Sequence, residues 1–157
     1  MENRSKKEDE SKAFNRMAGL CAKREYCVFD IKTKLMRSDI ETESVERIIE
    51  QLKKEKYIDE LRFARSFIND KIRFNKWGKI KIDFALKQKR IPQSIISEAF
   101  QDFSNKQLND SLEDVLRVKW KTIKGKTEQD KQNKLIRFAL GRGFEMKNIL
   151  ASIENLK

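Results

Sequence analysis

Apolar residues recur every three or four positions along most of the chain, which is the spacing of helices that bury one face. The sequence contains only five glycines and one proline, too few breakers for the many turns of a β-sandwich or barrel. Turn chemistry falls between the periodic segments and divides them into short helices. The pattern therefore predicts an all-α protein.

The hydrophobic pattern also repeats along the chain. A shift of 51 residues places apolar residues on apolar residues at eight positions, which are Met17 on Ile68, Cys21 on Ile72, Tyr26 on Trp77, Ile31 on Ile82, Leu35 on Leu86, Ile40 on Ile91, Val45 on Ile96 and Ile49 on Phe100. A further shift of 53 residues carries Ile82 onto Leu135 and Ile96 onto Ile149, although residues 104 to 127 do not follow this register. The sequence predicts three units of about 50 residues, each built of three helices.

The predicted organisation is a disordered tail over residues 1–11, followed by helical repeats over 12–56, 57–103 and 104–157. The tail is too charged to bury a useful apolar surface. Because a three-helix unit closes little core alone, we expect the units to stack into an elongated, curved array. An array with capped ends is compatible with a monomer.

Candidate caps mark several helix ends. Asp59 and Thr127 are residues whose side chains accept hydrogen bonds from the first turn of a helix. Gly143 is a natural left-handed C-cap, and its equivalent in the repeat register is Arg90. Because arginine adopts that conformation poorly, we expect the turn at Arg90 to differ or to carry strain.

The sequence contains no histidine and only two cysteines, Cys21 and Cys27. These residues supply no imidazole base, no Cys-His pair and no zinc ligand set, so we predict a protein without catalytic residues, metal or cofactor. Cys21 falls on the apolar register and is interpreted as a core residue, whereas Cys27 is a candidate for an exposed, reactive thiol.

The composition also predicts where the protein lies in the cell. No stretch approaches the roughly 18 uninterrupted apolar residues of a membrane span. The charged N-terminal residues lack the apolar segment of an export signal, and unpaired thiols suit a reducing compartment. We expect a cytoplasmic protein with no membrane partner.

Positive charge dominates the composition, since 36 Lys and Arg oppose 25 Asp and Glu for a net charge of +11. The excess is concentrated in two clusters, residues 71–90 and residues 117–137, and these supply the candidate binding residues. They are Lys71, Arg73, Lys76, Lys79, Lys81, Lys87, Lys89 and Arg90 in the first cluster and Arg117, Lys119, Lys121, Lys124, Lys126, Lys131, Lys134 and Arg137 in the second.

The first cluster carries eight cations against Asp83 alone. On a helix beginning after Trp77, the side chains of Lys76, Lys79, Lys87 and Arg90 fall within one narrow arc. A single stripe of this kind is usually a solvated helix face. Two clusters of the same sign instead favour an anionic partner, which is a nucleic acid, a nucleoprotein assembly or an acidic protein groove.

Other motifs are weak. Trp77 and Trp120 are interpreted as core residues rather than base-stacking platforms, because each continues an apolar stripe. Gly125-Lys126-Thr127 resembles the end of a phosphate-binding loop, but Trp120 stands where that loop needs its first glycine. Capping explains Asp59 better than acid–base chemistry with its neighbour does.

Several segments together resemble the RecX family of bacterial proteins that regulate the RecA recombinase. They are Ala22-Lys23-Arg24-Glu25-Tyr26, Tyr57-Ile58-Asp59-Glu60, Arg62-Phe63-Ala64, Trp77-Gly78 and Arg142-Gly143-Phe144. The resemblance extends from about residue 13 to the end of the chain. It implies the tandem three-helix repeats that the hydrophobic register predicts independently.

The resemblance also implies a function. Such a protein is a non-enzymatic modulator, typically an inhibitor, that binds in the groove of the RecA filament on DNA and limits strand exchange, ATP hydrolysis and SOS repressor co-cleavage. The implied partners are the RecA filament and single- or double-stranded DNA, contacted directly or through the filament. The alternative is a sequence-independent nucleic-acid-binding helical module.

Overall fold

A computed structural model of the protein describes residues 9–156, which form ten α-helices and one π-helical turn and contain no β-strand. The helices, in chain order, are α1 (Glu10–Lys23), α2 (Val28–Met36), α3 (Thr42–Lys54), α4 (Glu60–Asp70), α5 (Lys79–Gln88), α6 (Gln93–Phe100), α7 (Asn105–Asn109), α8 (Leu112–Trp120), α9 (Glu128–Gly141) and α10 (Met146–Leu156), and the π-turn Lys71–Asn75 lies between α4 and α5.

Three separate hydrophobic cores follow one another along the chain. The first lies among α1, α2 and α3, the second among α4, α5 and α6, and the third among α8, α9 and α10. Leu35, Leu86 and Leu135 are buried in the first, second and third core respectively. The prediction of an all-α array of helical repeats is confirmed, and we call the helices around each core a unit.

The repeat register corresponds to burial. Of the sixteen residues that the shift of 51 pairs, all but Ile40 and Trp77 are buried, and these two pack partly buried against the first and second cores. The paired positions therefore have the same structural role in both units, which is to fill the space between three helices.

Two details of the units differ from the sequence prediction. Helix α1 begins at Glu10 because the Asp9 carboxylate accepts a hydrogen bond from the Ser11 N–H at 2.9 Å, so the tail predicted over residues 1–11 extends too far. The rest of that tail, residues 1–8, lies outside the described residues. Helix α7 is an extra helix before the third unit, and its Leu108 packs in the second core. The repeat boundaries themselves stay a prediction.

The predicted caps are present. The Asp59 carboxylate accepts from the Arg62 N–H at 3.0 Å, and the Thr127 hydroxyl accepts from the Asp130 N–H at 3.1 Å. Gly143 has a φ of 96°. Arg90 has a φ of 62°, so it takes the same left-handed turn despite its side chain.

The interpretation of Cys27 as an exposed thiol was wrong. The side chain is completely buried and packs in the second core, although its neighbours Tyr26 and Val28 pack in the first. Burial raises the pKa of the Cys27 thiol to about 12, because an apolar surrounding disfavours the thiolate. The residue is therefore a structural contact between units.

Side chains hold the first unit to the second. The Glu60 carboxylate accepts a hydrogen bond from the Val28 N–H at 3.0 Å, and Lys89 pairs with Asp30 at 2.6 Å. Burial at this joint raises the pKa of the Glu60 carboxyl, although the Val28 N–H opposes the shift. An ion pair between Arg62 and Glu25 closes the same joint at the surface.

Backbone groups hold the second unit to the third. The Gly78 N–H donates to the Arg142 carbonyl at 2.8 Å, and the Ile80 N–H donates to the Gly143 carbonyl at 3.0 Å. These bonds need a close approach of two backbone segments, one before α5 and one after α9. A Cβ atom on Gly78 would lie 2.4 Å from the Gly143 carbonyl carbon, so only glycine fits there.

Candidate functional site

The first basic cluster begins in the π-turn and continues into the turn after it. Lys76 ends the π-turn with a φ of 57°, and Gly78 precedes α5. Lys76 therefore does not lie on the helix with Lys79 and Lys87, because the chain needs a left-handed residue to pass from the π-turn into α5. The predicted stripe starts only at Lys79.

Aromatic rings hold several of these cations. The Lys71 ammonium lies 4.8 Å from the centroid of the Trp77 ring, and the Lys81 ammonium lies 4.6 Å from the same centroid. Lys79 lies 5.2 Å from the Phe100 ring centroid. Cation–π contacts orient the ammonium groups without neutralising them, so their charge stays available to a partner.

The remaining cations of the first cluster diverge. Lys87 pairs with Asp83 at 2.7 Å. Lys89 pairs with Asp30 across the first joint, which is the contact between the first and second units. Arg90 lines a groove at that joint, on the side of Pro92 and away from Lys76. Arg73 lies over the exposed ring of Phe74 at 5.6 Å. The structure thus separates residues that the linear sequence grouped.

In the second cluster, too, some cations lie over aromatic rings and others form polar contacts or are exposed. Lys119 lies 4.6 Å from the Phe138 ring centroid, and Lys131 lies 4.5 Å from that of Trp120. Arg117 pairs with Asp114 at 3.1 Å, and Lys134 donates to the Lys124 carbonyl at 2.6 Å. The other candidates of this cluster, Lys121, Lys126 and Arg137, are exposed on the third unit.

The two tryptophans are half-buried. Trp77 packs against the second core and Trp120 against the third, in agreement with the interpretation of both as core residues. Lysine ammonium groups also lie over both rings, so each tryptophan contacts a core and a cation.

A cleft between the second and third units brings the two clusters together. It has a volume of about 270 Å³, and Lys76 from the first cluster and Lys119 from the second both line it. Arg142, on the turn after α9, lines it as well. Asp114 is the acid in the cleft, and Arg117 pairs with it. Three cations therefore share one opening, and none of them pairs with an acid within residues 9–156.

Arg142 was missing from the candidate residues. Its guanidinium donates to the Asn75 carbonyl at 3.1 Å and lies 5.1 Å from the Phe138 ring centroid. It lies outside both basic clusters, so local charge density gave no sign of it. The repeat register does give one, because Arg142 is equivalent to Lys89.

That equivalence shows how the two joints differ in charge. In the first joint Lys89 faces Asp30, and the ion pair leaves no net charge. The equivalent residues of the second joint are Arg142 and Lys81, both cations. Backbone hydrogen bonds hold the second joint, so it does not need an ion pair at these positions. An anion or an acidic side chain is the missing counterpart.

Within residues 9–156 no three His, Cys, Asp or Glu side chains converge as metal ligands would. No helix among α1 to α10 is long and apolar enough to cross a membrane. What the geometry provides is a set of oriented, uncompensated cations.

Two family models match the chain. One is described as "RecX, second three-helix domain" and matches residues 59–99, and the other as "RecX, third three-helix domain" and matches residues 107–150. The two ranges correspond closely to the helices around the second and third cores.

Proteins named "Regulatory protein RecX" are similar over most of the chain. The one from Prosthecochloris aestuarii is 31% identical over 150 residues, which cover 94% of this chain and 95% of that protein. The one from Clostridium acetobutylicum is 34% identical over 125 residues, which cover 76% of this chain and 57% of that longer protein.

Two solved structures share the fold. "Crystal structure of regulatory protein RecX" superposes with a TM-score of 0.85 and 23% identity, and covers 92% of this chain and 73% of its own. "Crystal structure of RecX from Lactobacillus salivarius" superposes with a TM-score of 0.78 and 22% identity, and covers 94% of this chain and 96% of its own. At these identities the superpositions show the fold alone.

Proposed function

The chain belongs to the RecX family, and on that premise we propose that it is a non-enzymatic regulator that binds in the groove of the RecA filament on DNA. Bound there, it limits recombination, ATP hydrolysis and co-cleavage of the SOS repressor. The observation that carries this proposal is the cleft between the second and third units, where Lys76, Lys119 and Arg142 meet without an acidic partner among the described residues.

The physical argument combines shape and charge. A series of three units presents contacts along a line, which suits neighbouring subunits of a filament better than a small molecule. A filament on DNA carries the phosphate charge that uncompensated cations attract, and this attraction speeds encounter and fixes orientation. Because the Lys119 and Arg142 side chains already lie over the Phe138 ring, little of their freedom is lost on binding.

Charge reversal at three exposed lysines of the first basic cluster tests the proposal. The triple variant Lys76→Glu, Lys79→Glu, Lys87→Glu is expected to keep its helix content and melting temperature and to lose inhibition of the RecA ATPase on single-stranded DNA, by about tenfold or more. The measurement is a titration of ATP hydrolysis with each protein.

A matched control carries the same change of charge on the first unit. Lys12, Lys23 and Lys54 are exposed, and the variant Lys12→Glu, Lys23→Glu, Lys54→Glu is expected to inhibit within about threefold of the wild type, since overall charge acts only weakly at physiological salt. Equal inhibition by both triple variants would remove Lys76, Lys79 and Lys87 from the mechanism. A wild-type protein that does not affect RecA at all would remove the proposed function.

The second candidate is a nucleic-acid-binding module that needs no recombinase. Arg73 over the exposed Phe74 ring favours it, because exposed aromatic rings beside cations bind single strands. Under this alternative, affinity for naked DNA falls steeply with salt, with a slope of about 0.9 per neutralised phosphate on a duplex. Adding RecA would then change nothing.

A further inference from the structure

Helix α5 is apolar on two opposite faces. Ile82 and Leu86 point into the second core and are completely buried. Ile80 and Phe84 lie on the other side, one helical turn apart, and are 52% and 61% exposed. A surface helix with one buried face does not need the second apolar face for folding.

The third unit shows that the fold does not require this exposed face. The equivalent residues of α9 are Asn133 and Arg137. Both side chains are exposed, and Arg137 is also charged. The same position of the same fold thus tolerates polar side chains on the third unit. Ile80 and Phe84 therefore call for an explanation outside the packing of the chain, and large exposed apolar pairs commonly mark interaction surfaces.

Two cations border the apolar pair. At about 100° per residue, Lys79 and Lys81 lie to either side of Ile80. Their ammonium groups rest on the Phe100 and Trp77 rings and form no ion pair with any acid of residues 9–156. The apolar stripe thus has a fixed positive border on both sides, which a partner with an acidic border would complement.

We propose that the outward face of α5, centred on Ile80 and Phe84, docks into an apolar groove with an acidic border on a subunit of the recombinase. This inference rests on the proposed function and assigns the protein contact to one helix. Apolar residues four apart on a helix are the anchors by which helices bind grooves in proteins. A branched aliphatic side chain such as Ile80 offers no flat face to a base, so the pair fits a protein better than a nucleic acid.

The test replaces the pair by the residues that α9 carries at the same positions. The variant Ile80→Asn, Phe84→Arg keeps the Ile80 N–H that bonds the Gly143 carbonyl, and it adds one positive charge. Two quantities are measured for each protein, namely the concentration that half-inhibits the RecA ATPase on single-stranded DNA, and the binding of a fluorescent oligothymidylate without RecA. Circular dichroism verifies that the variant is folded.

We expect the half-inhibiting concentration of the variant to rise about tenfold or more, since buried aromatic and aliphatic anchors dominate protein interfaces. Its affinity for the naked oligonucleotide is expected to stay equal or to increase with the added charge. A control variant, Leu150→Asn, removes a side chain that is 48% exposed on α10 and is expected to inhibit like the wild type.

The outcomes separate the inference from the function. Inhibition by the variant within about twofold of the wild type overturns the docking role of α5 and leaves the proposed function standing. Loss of inhibition together with an equal loss of naked-DNA binding also overturns it, because the face then binds nucleic acid. A wild type that neither inhibits nor binds RecA overturns both. If the double variant does not fold, Phe84→Arg alone gives the same readout.

Discussion

Cys27 illustrates what single residues contribute to the joints between units. The residue follows the first unit's Tyr26 in sequence but fills space in the second core, so one thiol ties the two units together. No repeat pattern indicated this, because the equivalent residue of the next unit is Gly78, which has no side chain. Its burial shows only in three dimensions.

A raised thiol pKa makes the stability of the protein sensitive to alkali. The folded pKa of Cys27 is about 12 against an ordinary value of 9.0. The unfolded chain loses this proton first, so the stability that the thiol contributes is complete below pH 9.0 and is lost as the pH rises toward about 12. The loss is about 1.4 kcal/mol per pH unit in that range.

Urea unfolding of the wild type and of Cys27→Ala at about pH 8 and about pH 10 measures this effect. The variant is less stable at both values, because it leaves a small cavity in the second core. The wild type is expected to lose about 1 kcal/mol more than the variant on going to the higher pH. Parallel losses in the two proteins would mean that the thiol ionises normally in the folded state.

At the scale of the element, the helix starts and turns place the cations. Lys56, Lys76 and Arg90 are the non-glycine residues with positive φ within residues 9–156, and each follows a helical segment. Such a conformation costs free energy for a side chain with a Cβ atom. The packing of the surrounding helices offsets this cost. Each of these basic residues is therefore held at a fixed position beside a contact between units.

The N-cap of α4 offers a direct measurement of one helix start. Replacing Asp59 by Ala removes the acceptor of the Arg62 N–H and is expected to cost about 1 kcal/mol of unfolding free energy. Asp59→Asn keeps an acceptor at the same place, so its cost is expected to be less than half of that. The midpoint of urea unfolding reports both, and an Asn variant as unstable as the Ala variant would show that charge rather than capping matters here.

At the scale of the whole molecule, the second joint depends on contact between two backbones. Gly78→Ala places a Cβ atom 2.4 Å from the Gly143 carbonyl carbon. The atoms it meets belong to the backbone, so no flexible side chain can move aside. We expect a loss of about 1 to 3 kcal/mol in unfolding free energy. The hydrogen bond from the Ile80 N–H is weakened at the same time, so its amide exchanges faster with solvent.

Gly141→Ala is the matched control, since nothing lies within 4 Å of the added Cβ and the residue is still helical. This variant is expected to be as stable as the wild type or up to about 1 kcal/mol more stable. Hydrogen exchange followed by mass spectrometry compares the two joints in each protein. Exchange at Ile80 that does not change in Gly78→Ala would show that the units are held elsewhere.

The hydrophobic register predicted the helices and most of the buried positions, because burial on one helix face leaves a mark every three or four residues. It missed α7, since Leu108 of that short helix belongs to the second core, outside the periodic run. The charged surface was predicted less well. Charge density grouped Lys89 with Lys76, but the pairing of Lys89 with Asp30 depends on how the units dock, which no local pattern records.

The difference between the two joints also excludes one wrong succession of the units. If the first unit met the third, Cys27 would come to the place of Gly78, and its Cβ atom alone would overlap the carbonyl group of Gly143. That succession is thus excluded by shape, because only a glycine at this position lets a unit dock on the turn of the third unit.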